Sequence, residues 1–254
     1  MAKILILGGT AEARGLGERL AKRAGLDITL SLAGRTASPA RQPVPVRIGG
    51  FGGAAGLADY LVRERIDVLI DATHPYASVI SANAVTAARK SNLPLVALRR
   101  APWAASAGDR WTEASDVRAA ASALGKTPRR VFVALGRNEI APLREAPQHH
   151  YLIRSVDPVD PPLSLPRATY VTGRGPFSES ADRALMTAHR TDAVIAKNSG
   201  GAATYGKIAA ARAIGIEVIM LRRPPAPDAP AVNTVEEAVA WLDHALASVT
   251  ARGV

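Results

Sequence analysis

The chain contains no cysteine. That absence excludes disulfides, thiolate zinc sites, iron–sulfur clusters and cysteine nucleophiles together, and fits a reducing cytoplasm. Aromatic residues make up only 4% of the sequence, so stacking platforms for single-stranded nucleic acid are scarce. No apolar run approaches the roughly 18 residues of a membrane span, and Met1–Gly8 reads as a strand rather than a leader peptide. A soluble, unprocessed cytoplasmic protein is the expectation. Neither a Gly-x-Ser-x-Gly elbow nor a full Gly-x-x-x-x-Gly-Lys-Ser/Thr phosphate loop occurs, which removes most support for hydrolase and kinase readings. Metal-ligand spacing is also missing: His149 and His150 are adjacent and lack an acidic companion, so both are expected at the surface and no metal is expected.

What is present is an ordinary globular composition with a basic balance. Hydrophobic residues form 48% and charged residues 21% of 254 residues, with a net charge of +10. The charge is spread evenly, 16 basic against 10 acidic residues in 1–125 and 16 against 12 in 126–254, without a basic tail or compact cluster. Of the 32 basic residues 26 are arginine, whose planar fork suits carboxylate and phosphate. An anionic small molecule is the expected ligand, and nucleic acid is not.

Strand-like and helix-like segments alternate throughout. Lys3–Leu7, Asp27–Leu32, Asp67–Asp71 and Leu93–Leu98 read as strands in the first half; Arg130–Leu135, Thr169–Thr172, Ala193–Ala196 and Glu217–Leu221 continue in the second. Helices are predicted after the first strand and from Pro75 onward, where Tyr76, Val79, Ile80, Asn83, Ala84, Ala87 and Ala88 form a stripe. Others are predicted near 115–124, 178–190, 204–214 and 235–249. Alternation of this kind implies parallel strands joined by right-handed crossovers, hence an α/β protein. About nine strands are many for one doubly wound unit, so two Rossmann-like lobes are expected, residues 1–126 and 127–254, divided near Gly125-Lys126-Thr127-Pro128.

Ligands of doubly wound folds sit at the carboxyl ends of strands, and four junctions there carry polar residues. The first is Gly8-Gly9-Thr10-Ala11-Glu12-Ala13-Arg14. It keeps the first glycine and the small sixth residue of the dinucleotide fingerprint, with Thr10 in place of the second glycine. Its place between strand and helix lets backbone N–H groups meet a pyrophosphate. The second strand ends in Ser31-Leu32-Ala33-Gly34-Arg35-Thr36 without a carboxylate for a ribose diol. Asp27 stands at the opposite end, roughly 16 Å away at about 3.3 Å per residue. Arg35, with Thr36, suits a 2′-phosphate, so NADPH is expected over NADH.

The second junction is Asp71-Ala72-Thr73-His74-Pro75-Tyr76, with Thr73 or His74 expected to cap a helix whose first residue is Pro75. His74 titrates near neutrality and could donate a proton. The third, Gly136-Arg137-Asn138, is echoed by Gly173-Arg174-Gly175, two Gly-Arg pairs fit to receive anions. The fourth, Lys197-Asn198-Ser199-Gly200-Gly201, packs an ammonium, an amide, a hydroxyl and glycine N–H groups into one turn. Ordinary readings stand beside these: a glycine turn packing helix on strand, a solvated Arg35, a capping Thr73, a His74 bonded to backbone and a Tyr76 in the core.

With these motifs in view, the chain resembles the precorrin-6A reductases. Asp71-Ala72-Thr73-His74-Pro75-Tyr76 together with Lys197-Asn198-Ser199-Gly200-Gly201 carries most of the likeness, supported by the opening glycine turn, Gly175-Pro176-Phe177-Ser178 and Val218-Ile219-Met220-Leu221-Arg222-Arg223-Pro224. The resemblance spans nearly the whole chain; Ala11, where many members carry Thr or Ser, is a mild departure. It implies two Rossmann-like lobes with a cleft between them, and NADPH-dependent reduction of a double bond of the precorrin-6A macrocycle in cobalamin biosynthesis. It also implies a tetrapyrrole substrate rich in carboxylates, and raises handover to other enzymes of the pathway. Under it, Gly8, Gly9, Thr10, Ala11, Glu12, Arg14, Arg35, Thr36, Asp71, Ala72 and Thr73 border the cofactor. Arg137, Arg174, Lys197, Asn198, Ser199, Gly200 and Gly201 border the substrate, and His74, Tyr76 and Lys197 are the catalytic candidates. A cobalt-precorrin-6A reductase and a non-enzymatic NADP-binding regulator are the alternatives. A short-chain reductase would use Tyr-x-x-x-Lys, which no tyrosine here begins.

Overall fold

The fold is that of a computed structural model describing residues 1–34 and 40–252, apart from the side chains of residues 249–252. Two compact units appear, residues 1–101 with 224–254 and residues 102–223. The first begins with β1 (Ala2–Leu7), α1 (Ala11–Leu20), β2 (Leu26–Leu32), β3 (Val46–Ile48), α2 (Gly53–Arg63), β4 (Val68–Asp71), α3 (Ser78–Lys90) and β5 (Leu95–Leu98). The second holds β6 (Trp111–Ala114), α4 (Val117–Ala123), β7 (Arg130–Ala134), β8 (His150–Ser155), β9 (Ala168–Thr172), α5 (Glu179–Ala188), β10 (Ala193–Lys197), α6 (Gly206–Ala213) and β11 (Glu217–Leu221). The chain then returns to the first unit with β12 (Ala231–Val232) and α7 (Val235–Arg252).

Each unit is a six-stranded parallel sheet, ordered β12-β5-β4-β1-β2-β3 and β6-β11-β10-β7-β8-β9. The two orders are the same once β12 and β6 are given the sixth place. Successive side chains of a strand face opposite sides, and β1 uses both. Ile4 and Ile6 pack toward α1 and α7, against Leu16, Leu20, Ala238 and Leu242. Leu5 and Leu7 pack toward α2 and α3, against Leu57, Leu61, Ala84 and Ala88. In the second sheet Phe132, Leu152, Val194 and Met220 pack on Met186, Ile208 and Ala211 of α5 and α6.

Three expectations are corrected here. The boundary near residue 126 is not the crossing point: β6 pairs with β11, Trp111 opposite Val218, so residues 102–126 belong to the second unit and the chain crosses at 101/102 and again at 223/224. His149 is fully buried rather than at the surface; its Nδ1 accepts the Arg129 N–H at 3.2 Å just before β8. The helix expected from Pro75 begins at Ser78 after Ala77, because a tight turn forms first. In that turn His74 C=O accepts from Ala77 N–H at 2.7 Å and His74 Nδ1 accepts from Tyr76 N–H at 3.3 Å. Val79 of the expected stripe is consequently 74% exposed.

Candidate active site

In the first sheet the connection from β1 leads to one side and that from β4 to the other, which makes the gap between their ends the switch point where ligands of open α/β sheets bind. The glycine turn lies there. A Cβ on Gly8 would stand 2.6 Å from Leu30 Cδ1, and Gly9 has φ +116°, so both positions call for glycine. Thr10, in extended conformation, caps α1: its Oγ1 accepts from Ala13 N–H at 3.1 Å and donates to Ala72 C=O at 2.8 Å, tying the two junctions together. The first-turn N–H groups of Ala11 and Glu12 have no acceptor among the described residues. With the dipole of a ten-residue helix behind them they form an anion cradle, and a pyrophosphate fits it.

Acidic groups near the cradle are neutralised. The Glu12 carboxylate pairs with Arg100 just beyond β5. Asp71, buried at the end of β4, accepts from Thr73 N–H at 3.1 Å, Thr73 Oγ1 at 2.6 Å and Arg99 at 3.2 Å. Its carboxylate therefore shapes the Asp71–His74 turn, and Thr73 Oγ1 continues the network to Ser81 at 3.3 Å. The imidazole of His74 leans on the Tyr76 ring, centroids 5.6 Å apart. Because His74 Nδ1 is an acceptor, the proton of the neutral ring sits on Nε2. Arg14 is not brought to the cradle; it pairs with Glu18 on the exposed face of α1.

Arg35 and Thr36 lie outside the described residues. A second arginine, which the sequence reading passed over, stands at the ends of β2 and β3. Arg47 is the register partner of Ser31, donates to Gly49 and Gly50 carbonyls at 2.5 and 2.7 Å and to Ser31 Oγ at 3.4 Å, and stacks 3.8 Å over Phe51. The only signal was Arg47-Ile48-Gly49-Gly50-Phe51 after a run too short to read as a strand.

The second sheet repeats the arrangement with different chemistry. At its switch point, between β7 and β10, Lys197 Nζ donates to both oxygens of Glu139, and Glu139 Oε2 also accepts the Gly136 N–H at 3.1 Å. No α-helix starts after β7; a 3-10 turn, Ala141–Glu145, follows instead. Lys197 and the Gly136 N–H thus form a carboxylate cradle that Glu139 fills. Glu139 was also missed, since an isolated Glu in a loop carries no spacing signal. The rest of the 197–201 turn, expected to be functional from its polar density, is largely committed to the protein. Asn198 accepts from Trp103 N–H at 2.7 Å and donates to Trp103 C=O at 2.9 Å, as a strand neighbour would. Buried Ser199 Oγ meets Thr204 Oγ1 at 3.0 Å. Gly200 has φ +74°, which turns the chain, and Gly201 C=O receives Thr204 N–H at 3.3 Å.

Arg137 and Arg174 are both exposed, beyond the ends of β7 and β9, the strands on either side of β8, with Arg137 reaching Pro158 C=O at 3.4 Å. The loop bearing Arg174 rests on Arg154, whose guanidinium lies 3.7 Å over the Phe177 ring and 4.8 Å from that of Phe132 while pairing with buried Asp182. Lys207, 4% exposed in the first turn of α6, donates to Thr204 C=O at 2.5 Å beneath the same site. Among the described residues no group of three or more His, Asp or Glu side chains could hold a metal, and no helix is long and apolar enough to cross a membrane.

Known proteins resemble this chain over nearly its whole length. A precorrin-6A reductase of Sinorhizobium sp. is 54% identical over 245 residues, 96% of this chain and 94% of that protein. The precorrin-6A reductase of Rhodobacter capsulatus is 48% identical with both chains covered completely. The solved structure of a CobK precorrin-6A reductase superimposes with a TM-score of 0.93 at 48% identity, covering 96% of this chain and 97% of that one. The family model described as precorrin-6x reductase CbiJ/CobK matches residues 3–243, and the chain belongs to that family of reductases.

Proposed function

We propose that this chain reduces precorrin-6A with NADPH, the first unit holding the cofactor and the second the carboxylate arms of the tetrapyrrole. One observation carries the division of labour: of two sheets with the same strand order, only the first opens a capped helix with free N–H groups at its switch point, whereas the second offers a lysine cradle already shaped around a carboxylate. A pyrophosphate suits the former and a carboxylate the latter.

Gly8, Gly9, Thr10 and Ala11 would hold the pyrophosphate, and Arg47 with Ser31 would face the 2′-phosphate in concert with Arg35 and Thr36. Bound there, NADPH supplies the hydride. Ala72, Thr73 and His74 would border the nicotinamide, with Asp71 and Arg99 fixing their turn. His74 Nε2–H would donate the proton that completes the reduction, with the tilted Tyr76 ring beside it; Lys197 is the other candidate. Lys197, Arg137, Arg174 and the N–H groups of Gly136, Gly200 and Gly201 would grip substrate carboxylates, while Asn198 and Ser199 hold the turn in shape. Glu139 keeps the cradle formed until a substrate carboxylate displaces it.

Anaerobic loss of NADPH absorbance on adding precorrin-6A tests the reading, with cobalt-precorrin-6A and NADH in parallel. Turnover dependent on the metal-free macrocycle and on NADPH is expected. Turnover confined to the cobalt form would move the substrate assignment, and binding of NADPH without turnover of either would overturn the proposed reaction.

A further inference from the structure

The opposite edge of the second sheet, where its strands begin, carries a second concentration of positive charge. Arg130 opens β7, His150 opens β8, Arg167 immediately precedes β9, and His189 ends α5. Because these strands are parallel and in register, Arg130 opposite His150 and Tyr151 opposite Ala168, the four basic side chains come out at one edge. They line a pocket of about 240 Å³ together with the hydroxyl residues Thr169 and Thr191, and no carboxylate lines it. Lys197 closes the far end of β10, so this pocket lies a strand length, roughly 16 Å, from the candidate site.

The charges in the pocket are not matched within the protein. Among the described residues no carboxylate lies within ion-pair reach of the Arg130 or Arg167 guanidinium. The neighbouring Arg129, by contrast, pairs with both Asp192 and Glu217. Asp192 is spent on Arg129 Nε and the Arg130 N–H, at 3.1 Å each. Arg130 reaches only the His189 carbonyl, at 3.4 Å, and Arg167 donates to His150 Nε2 at 3.0 Å. His150 thus accepts and stays neutral, and burial, with Arg167 and then Arg130 beside it, holds its pKa below the usual histidine value. The carboxyl-terminal end of α5 at His189 opposes an anion, but two unpaired guanidiniums outweigh that partial charge.

We propose that this pocket binds a phosphate group, as inorganic phosphate or as a small phosphate monoester. Donors converge on it from the starts of three strands and one helix end, an arrangement that matches a tetrahedral dianion better than a planar carboxylate. An anion seated there would favour the charged imidazolium of His150 and so add a further donor.

The test is a titration of the full chain with inorganic phosphate and, separately, glycerol phosphate, at constant ionic strength in chloride. It is read at the imidazole resonances of His150 and His189, because the cradles at the other strand ends also attract phosphate. Saturable movement of the His150 resonances with a raised His150 pKa is expected. Arg130→Gln with Arg167→Gln should weaken that response about a hundredfold while leaving tetrapyrrole reduction in phosphate-free buffer unchanged. Response to inorganic phosphate alone would still support the site and restrict its ligand to the free ion. Saturable binding that leaves His150 unmoved, or an unaltered response in the double variant, would overturn the proposal; if that variant does not fold, the His150 titration of the unaltered chain decides alone.

Discussion

At the scale of single residues, Glu139 decides whether the second switch point is a salt bridge or a ligand site. Its carboxylate sits on Lys197 and the Gly136 N–H as a substrate carboxylate would. Glu139→Gln removes that competitor, so KM for the tetrapyrrole is expected to fall about three- to fivefold, the range of a partly exposed pair, with kcat little changed. A rise in KM would instead make Glu139 part of the binding surface. Buried Asp182 serves stability: Asp182→Asn strands the Arg154 guanidinium between two phenyl rings and should cost about 3–5 kcal/mol in denaturant unfolding of the second unit. The glycine turn between the first strand and the first helix was legible from its short motif, although the cap that Thr10 provides was not. Roles that depend on a distant partner were not: nothing in a linear reading joins Glu139 to Lys197, Asn198 to Trp103, or Arg47 to Ser31.

Elements were legible where burial is strong and continuous. β1, β4, β10 and β11 are buried through most of their length and read as apolar runs. The three-residue β3, the half-exposed β6 and the two-residue β12 carry no such run and were missed; each lies at or next to a sheet edge, where pairing rather than composition makes the strand. β8 was missed because His150 and Arg154 break its pattern, one lining the basic pocket and the other supporting the Arg174 loop. Two predictions belong here. A Cβ on Gly206, the first residue of α6, would lie 2.5 Å from Phe177 C=O and 2.8 Å from the Ser178 carbonyl carbon. Gly206→Ala must therefore push the Arg174 loop outward, and a raised KM for the tetrapyrrole with unchanged NADPH affinity is expected. Buried His149, before β8, has its pKa lowered by burial and then by Arg129. Above the unfolded value near 6.5 it is neutral in both states and contributes nothing to pH dependence. Below that value the unfolded chain takes the proton first, so stability falls as pH drops toward the lower folded value. His149→Asn should flatten the denaturation midpoint between pH 7 and 5, and an unaltered slope would assign it to other groups.

At the scale of the molecule, the α/β class and two parallel sheets were legible in the alternation of strands and helices, but the boundary was not. The Gly125-Lys126-Thr127-Pro128 turn resembles a linker, yet β6 before it completes the second sheet while β12 and α7 complete the first. Sixth strands add across an existing edge, so their order along the chain is free, and no local signal records which sheet they join. Ala238 and Leu242 of α7 are fully buried on α1 and the first sheet, so truncation after Arg223 is expected to abolish NADPH binding although the glycine turn is intact; retained binding would show the first unit to be stable without its return segment. The central claim, that two like sheets divide cofactor from substrate, is tested most directly by measuring both affinities in Lys197→Ala. The account predicts an NADPH dissociation constant unchanged from that of the unaltered chain and a tetrapyrrole KM raised about tenfold or more. A weakened NADPH complex with an unchanged tetrapyrrole KM would contradict it.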